Sequence, residues 1–521
     1  MAQRERYAVG DQSFPSLREG GYVYVDKSHY IERLLDKGHY FFLGRPRRFG
    51  KSLFLSMLKC FFEGRRELFK GLYADTMQWD WEPYPVLLVD LNVGSYQGEN
   101  RDLEDTLNNQ LSDWEEEYHI KQRTDGYAAR FRNVIKGAYV KTGKKVVVLV
   151  DEYDKPLVNN LNNSENFEKY RNLLYGLYSN FKSSADYLQL VFLTGVSRFG
   201  KLSVFSGLNN LVDISFDPLF SAICGITAKE LDSHFNQGIQ ELADSEGMSF
   251  DDTRAELKKY YDGYHFCRNS EDIYNPFSLL WALNASDIGS YWMQSSDPTL
   301  LCEQLKLHNA DLRETLNSRC AQDNLISIIP GSRSPLALLY QTGYLTIKGY
   351  DREMKLFTLG LPNEEVKRGF FLRILPYYTT LHFEESAFVV SEFVRDFREG
   401  KTESFMKRLQ SLFSKTTYKL KLDNENNFQN ALYILMMLVG LYVEAELCTS
   451  DGRIDLFVAT NRYYYIIELK VDSTPEDALR QIDEKNYALP FSLDGKKIIK
   501  IGANFSTKTR TITGWKTSTQ Q

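Results

Sequence analysis

Between residues 39 and 195, short apolar runs alternate with longer segments whose apolar residues recur every three or four positions. HYFFLG (39–44), VLLVDLN (86–92), VVVLVDEYD (146–154) and LQLVFLTG (188–195) are almost continuously apolar and end in polar residues. Such runs predict strands buried on both faces, because only a half-exposed strand keeps a polar alternation. SLFLSMLKCFFEG (52–64) and NFEKYRNLLYGLYSNF (166–181) carry the helical period between them. Strand–helix alternation predicts an α/β domain over residues 1–220, a parallel sheet with helices on both faces. In such sheets ligand-binding residues gather at the carboxyl ends of the strands, which is where these runs keep their polar residues.

The pattern changes near residue 221. Helical segments there are interrupted by short aromatic strands, and LLYQTGYLTIKGYD (338–351) reads as a strand pair turning near Gly343. Residues 221–375 are therefore predicted to be a mostly helical middle region, with a winged-helix-like element as one option. Residues 376–424 read as a charged helical connector. From 425 onward the order is helix, strand, hairpin, helix, strand. Within it, GRIDLFVAT and YYYIIELK are β-rich runs separated by Thr460-Asn461-Arg462, the spacing of a hairpin. The longest apolar run, ALYILMMLVGLYV (431–443), falls short of the roughly 20 residues of a spanning helix, so no membrane association is expected.

Composition narrows the picture modestly. The 521 residues exceed one core, and 14% aromatics, with 33 Tyr and 33 Phe, predict ring-rich interiors. A net charge of −6 means that any nucleic-acid surface must be local. Residues 451–521 hold 11 Lys/Arg against 9 Asp/Glu, and the default for the tail's Lys508, Arg510 and Lys516 is a solvated face. Six cysteines without a CxxC pair, and an N-terminus without an apolar leader, predict reduced thiols and a cytoplasmic protein. The seven histidines show no metal-ligand spacing.

RPRRFGKS (45–52) sits between the first strand and its helix. Its last three residues, Gly50, Lys51 and Ser52, match the phosphate-binding loop, in which backbone N–H groups cradle phosphates, Lys reaches the β- and γ-phosphates and the hydroxyl binds Mg²⁺. Arg48 and Phe49 lie in the same loop, and Arg45 stands where the pattern has its first glycine. Asp151, ending its strand, is suited to hold Mg²⁺ through water, and Glu152 to polarise an attacking water. Thr194, Ser197 and Arg198 follow the next strand as candidate γ-phosphate sensors. The alternative is that Lys51 caps a surface loop and the acidic pair merely ends a strand.

VYVDKSHYIERLL, FFLGRPRRFGKSLFLSML, VVVLVDEYDKPL and LTGVSRFGKLSVFSGLNNL resemble the bacterial AAA-ATPase-like family. The resemblance implies a P-loop NTPase-like domain, ATP as ligand, Arg45 as a family trait, and a C-terminal PD-(D/E)XK nuclease-like domain. It extends to YNPFSLL, YQTGYLT and LGLPNEEV, whose Tyr, Gly and Pro read as packing and turn residues.

Phosphodiester hydrolysis needs a divalent cation on hard oxygen ligands and a group that orients water. Residues i and i+2 of a strand share a face, so Glu468 and Lys470 point together while Leu469 turns into the core, leaving its carbonyl as a possible ligand. Hairpin pairing brings Asp455 toward Glu468 if the register allows. The helix starting near Thr474-Pro475 directs Gln481 at the same site. This arrangement resembles the PD-(D/E)XK nuclease superfamily over residues 425–505. The resemblance gives Asp455 the Asp role, Glu468 and Lys470 the (D/E)xK role, Gln481 the helix position, and Glu425 (rival Glu446) a further metal-ligand role. The Q-x-x-x-Y helix variant of that superfamily is matched only in part, by Gln481, because Lys485 stands at its Tyr position and Tyr487 lies two residues further on. The bland alternative is a salt-bridged Glu–Lys pair on a surface hairpin.

The expectation is an ATP-binding protein whose nucleotide state regulates a Mg²⁺- or Mn²⁺-dependent nuclease acting on DNA, with oligomerisation open. The alternative is a nucleotide-dependent binding switch whose inactive nuclease-like domain holds nucleic acid or a protein partner.

Overall fold

The computed structural model describes residues 5–96, 102–121, 126–198, 210–295, 299–307, 310–326, 328, 334–420, 425–450, 453–492 and 495–520. Within these, the side chains of 295, 299–300, 306–307, 415–420, 425–427, 444–450 and 453–455 are outside the description. The chain forms two compact units, Met1–Trp292 with Ser318–Asn363, and Met293–Asn317 with Glu364–Gln521.

The first unit is built on five strands, β1 (Tyr40–Gly44), β2 (Val86–Asp90), β3 (Val146–Asp151), β4 (Leu188–Gly195) and β5 (Val212–Asp213). They lie in the order β2-β3-β4-β1-β5, all parallel. Helix α1 (Lys51–Phe62) covers one face, where Phe54 meets Phe192 of β4. Helix α2 (Ser164–Ser183) covers the other, with the Tyr40 hydroxyl reaching the Phe181 carbonyl. Every residue of β3 is buried, which is what its unbroken apolar run anticipates.

The remainder of this unit is helical, with a small antiparallel sheet of Arg319–Cys320, Leu356–Gly360 and Thr346–Asp351. Here the expected turn at Gly343 is corrected. Leu336–Gln341 is a helix, and the strands turn instead between Asp351 and Leu356. The apolar LALLY run is buried as one helical turn, and Gly343 at φ 89° ends it while Tyr344 N–H closes onto the Leu339 carbonyl.

In the second unit, a mixed sheet runs β6 (Glu444–Ser450), β7 (Arg453–Ala459), β8 (Tyr463–Val471), β9 (Lys497–Ser506) and β10 (Thr511–Gln520) in sequence order. Only β8 and β9 are parallel, and helix α3 (Pro475–Glu484) makes their crossover. Strand alternation sorts β8 cleanly. Tyr464 and Ile466 pack with Ile482 of α3, while on the opposite face the Tyr465 hydroxyl bonds the carbonyl of Phe397, a residue of the Phe383–Glu399 helix. Among the described residues no helix is long and apolar enough to cross a membrane.

Candidate nucleotide and phosphodiester sites

The β1 chain leaves the sheet at Gly44, circles through residues 45–50 and enters α1, with Gly50 (φ 96°) as its N-cap. Lys51 is 3% exposed. Its Nζ donates to the carbonyls of Arg45 (3.1 Å) and Pro46 (3.2 Å) and lies 3.1 Å from Glu152 Oε1. The ammonium thus sits inside the loop against the end of β3, an arrangement a surface-capping lysine would not show. Asp151 is 7% exposed, accepts from the Thr194 hydroxyl at 2.7 Å and is hydrogen-bonded to Ser52. Burial raises its carboxyl above the ordinary range, opposed by the Ser52 and Thr194 hydroxyls. Glu152 adopts φ 52°, a strained conformation for a side-chain-bearing residue, as the chain turns off β3 beside Lys51.

The structure brings Lys51, Ser52, Asp151, Glu152 and Thr194 together at the carboxyl ends of β1, β3 and β4. Thr194 spends its hydroxyl on Asp151, so it positions the carboxylate. Arg198 pairs with Asp213 of β5, and its N–H donates to Gln341 Oε1 at 2.8 Å. Phe49 turns its ring into the core against Tyr264 and Phe266. Arg48 is exposed, with its guanidinium 5.0 Å over the Phe277 ring. Ser197 is fully buried.

Arg45, the residue in place of the first glycine, is buried. Its guanidinium donates to the carbonyls of Gly44, Ser215, Phe220 and Ser221 at 2.8–3.3 Å and stacks 4.1 Å over Phe266. Desolvation lowers its pKa, opposed in part by the nearby Asp213 carboxylate, and four carbonyl acceptors hold the charge. A side chain thereby ties the loop to residues 215–221.

Sequence reasoning missed Asp154. Fully buried, it accepts from the N–H groups of Val196 (3.1 Å) and Ser197 (2.5 Å), fixing the turn that follows Thr194. Its place in VVVLVDEYD was visible, but its partners lie more than forty residues away. Burial, with the Glu152 charge adding to it, pushes the Asp154 carboxyl up to about 7. The native state therefore holds this proton more tightly than an unfolded chain, whose Asp titrates near ~3.9. The stability it contributes is full below about pH 4 and is lost as pH rises through 7. Asp154→Asn is expected to flatten the melting temperature between pH 4 and 7; an unchanged slope would contradict this assignment.

In the second unit, the hairpin register pairs Asp455 with Glu468 directly. The Asp455 side chain lies outside the described residues, as do those of Glu425, which opens the Glu425–Val439 helix, and Glu446. Glu468 is buried at 1% exposure, with Lys470 Nζ 3.4 Å from its Oε1. Gln481 projects from α3 and its amide oxygen accepts from Lys470 Nζ. Leu469 turns into the core. A lysine bracketed by a buried carboxylate and a buried amide is not the solvated surface pair of the bland reading. Lys485 is exposed at the end of α3 and Tyr487 lies beyond it. Among the described residues, no group of three or more His, Cys, Asp or Glu is placed to hold a metal.

Gly502 of β9 is the register partner of Glu468 and lets α3 approach. A Cβ there would lie 2.7 Å from the Leu479 backbone nitrogen and closer still to the Pro475 carbonyl. Gly502→Ala is expected to push α3 outward, separate Gln481 from Lys470 and cost about 1–3 kcal/mol. Urea unfolding of the full chain checks this, and an unchanged midpoint would refute it.

Two family models match this chain. One, described as predicted AAA-ATPase, covers residues 8–205, and the other, the PD-(D/E)XK nuclease superfamily, covers 423–515. An uncharacterised protein encoded in the vnfD 5′ region of Azotobacter chroococcum mcd 1 is 35% identical over 532 residues, spanning 98% of both chains. The buried P-loop lysine and the Glu-x-Lys strand fall inside the two matched segments. The chain belongs to the family of that Azotobacter protein, joining an AAA-ATPase-like domain to a C-terminal PD-(D/E)XK nuclease superfamily domain.

Proposed function

We propose that this protein binds ATP at the β1–α1 loop and that nucleotide state controls a divalent-cation-dependent DNA nuclease in its C-terminal domain. The observation that carries the nuclease reading is the grouping of Glu468, Lys470 and Gln481 on one sheet face, with Asp455 in register opposite Glu468.

Both donor sets fit Mg²⁺ or Mn²⁺, because each offers hard oxygen atoms: the Ser52 hydroxyl with Asp151, and Glu468 with Asp455 and the Leu469 carbonyl. A cation bound there would supply Lewis-acid polarisation of a phosphate oxygen and lower the pKa of a water. The chain's residues do the remaining work. At the nucleotide, Lys51 neutralises the β- and γ-phosphates, Thr194 fixes Asp151, and Glu152 orients a water. At the phosphodiester, the Lys470 ammonium stabilises charge developing on the reacting phosphate, and Gln481 holds Lys470 in place. Water adds to phosphorus and the P–O ester bond breaks.

The test is incubation of the purified full chain with plasmid DNA and Mg²⁺ or Mn²⁺, with and without ATP. Cleavage that Asp455→Ala abolishes supports the reading. DNA binding without cleavage under every condition overturns it and leaves a binding switch.

A further inference from the structure

The phosphate loop is enclosed by side chains from sequence motifs that the nucleotide chemistry leaves unused. Trp292, 1% exposed, donates from Nε1 to the Arg47 carbonyl at 3.1 Å and meets Tyr344 edge-on at 5.4 Å. Arg48 stacks on Phe277, and Phe49 packs edge-on against both Tyr264 and Phe266 while its carbonyl accepts from Gly225 N–H at 3.1 Å. Pro46 abuts Gly343, where an added Cβ would lie 2.8 Å from the Pro46 Cβ. Together with Arg45 on Phe266, each residue from 45 to 49 is held from outside the loop.

One of these contacts sets the direction of a backbone N–H. A trans peptide points its C=O and N–H in opposite directions. With the Arg47 carbonyl aimed at Trp292, the Arg48 N–H is turned away from it. Arg48 itself sits at φ 67°, an uncommon left-handed conformation for a residue with a side chain. A left-handed residue within a loop of successive N–H groups is the geometry of an anion-binding nest. Such a conformation persists only where its surroundings over-determine it. The Trp292 hydrogen bond and the Phe277 ring supply that constraint on either side of the 47–48 peptide.

We propose that Trp292 and Phe277 form a brace that holds the 47–48 peptide in its phosphate-receiving orientation, making Trp292 a positioning residue for nucleotide binding. The proposal rests on the nucleotide-binding reading above. It gives NPFSLL and YQTGYL a role in the ATP site: their side chains shape the loop without touching the ligand. Enclosure takes over the role that a glycine-rich loop fills by permissiveness.

Two substitutions in the full chain test it. Trp292→Phe keeps a buried ring while removing the donor and the second ring of the indole; Phe277→Leu removes the ring beneath Arg48 at a half-buried site. Affinity is read by titration with a fluorescent ATP analogue in Mg²⁺, and apo stability by melting without nucleotide. The expected result is roughly tenfold weaker binding for Trp292→Phe and about threefold for Phe277→Leu, in each case more than the accompanying drop in apo melting accounts for. Wild-type affinity in both variants overturns the brace while leaving nucleotide binding intact. Affinity that falls only in step with apo melting also overturns it, since the residues would then serve stability alone. A wild-type chain that binds no nucleotide sinks the nucleotide reading itself, and the brace with it.

Discussion

Lys51→Met is expected to weaken ATP binding by at least about 100-fold. The amine is fixed by the Arg45 and Pro46 carbonyls and by Glu152, so it is poised at the centre of the loop before any ligand arrives. Hydrogen bonds to charged groups contribute about 1.5–3 kcal/mol each, and a lysine reaching two phosphates makes at least two. Methionine keeps the apolar stem, so the loop stays packed. Glu152, with 16% side-chain exposure, loses its cation, and about 2 kcal/mol of stability is expected to go with it. Equilibrium titration with a fluorescent ATP analogue measures the first effect and urea unfolding the second. Retention of wild-type affinity would place the nucleotide elsewhere.

Glu468→Gln is expected to lower the rate of DNA cleavage by about 1,000-fold or more, and Lys470→Met by about 100-fold. The two losses differ in kind. Glutamine in place of Glu468 keeps the shape of the buried side chain but carries no charge to hold a cation. Lys470→Met removes a charge that stabilises the reacting phosphate and frees the Gln481 amide. DNA affinity without divalent cation is expected to hold within about threefold in both, because neither change touches the general charge of the surface. First-order plasmid cleavage in Mg²⁺, beside DNA binding by fluorescence anisotropy, separates these effects. Undiminished cleavage by Glu468→Gln would remove this strand from the chemistry.

The parts of this fold that could be read from sequence are those that local rules govern. Unbroken apolar runs gave away β1, β3 and β4, since burial on both faces leaves no polar alternation; β2 kept an apolar run too, yet as an edge strand it is only half-buried on one face. Period-two spacing placed Glu468 and Lys470 on one face, and the short polar turn at 460–462 predicted the hairpin, while its register, Asp455 opposite Glu468, had to come from the structure. Gln481 could be aimed because Ala478 and Ile482 mark the buried side of its helix.

What escaped depends on partners distant in the chain. Arg45 stood at the first glycine position as a family trait with no readable role, because its acceptors at Ser215, Phe220 and Ser221 lie about 170 residues further on. Asp154 looked like one more acidic residue at a strand end, and its role emerges only from the Val196 and Ser197 N–H groups. LLYQTGYLT was misread because a short apolar run has no intrinsic period that separates a buried helical turn from a strand. The aromatic residues near 264–292 carry no catalytic or phosphate-binding group that a sequence pattern would flag. Trp292 meets Arg47 across 245 positions. No spacing rule reaches that far.

The most direct measurement is the initial rate of DNA cleavage by the full chain in Mg²⁺, with and without saturating ATP, for wild type, Lys51→Met and Glu468→Gln. Coupling between sites is commonly about 5- to 150-fold, so ATP is expected to change the wild-type rate at least fivefold. Lys51→Met is expected to cleave at the ATP-free rate whether or not ATP is present, and Glu468→Gln to cleave under neither condition. A wild-type rate indifferent to ATP, or a wild-type chain that never cuts, would contradict the account.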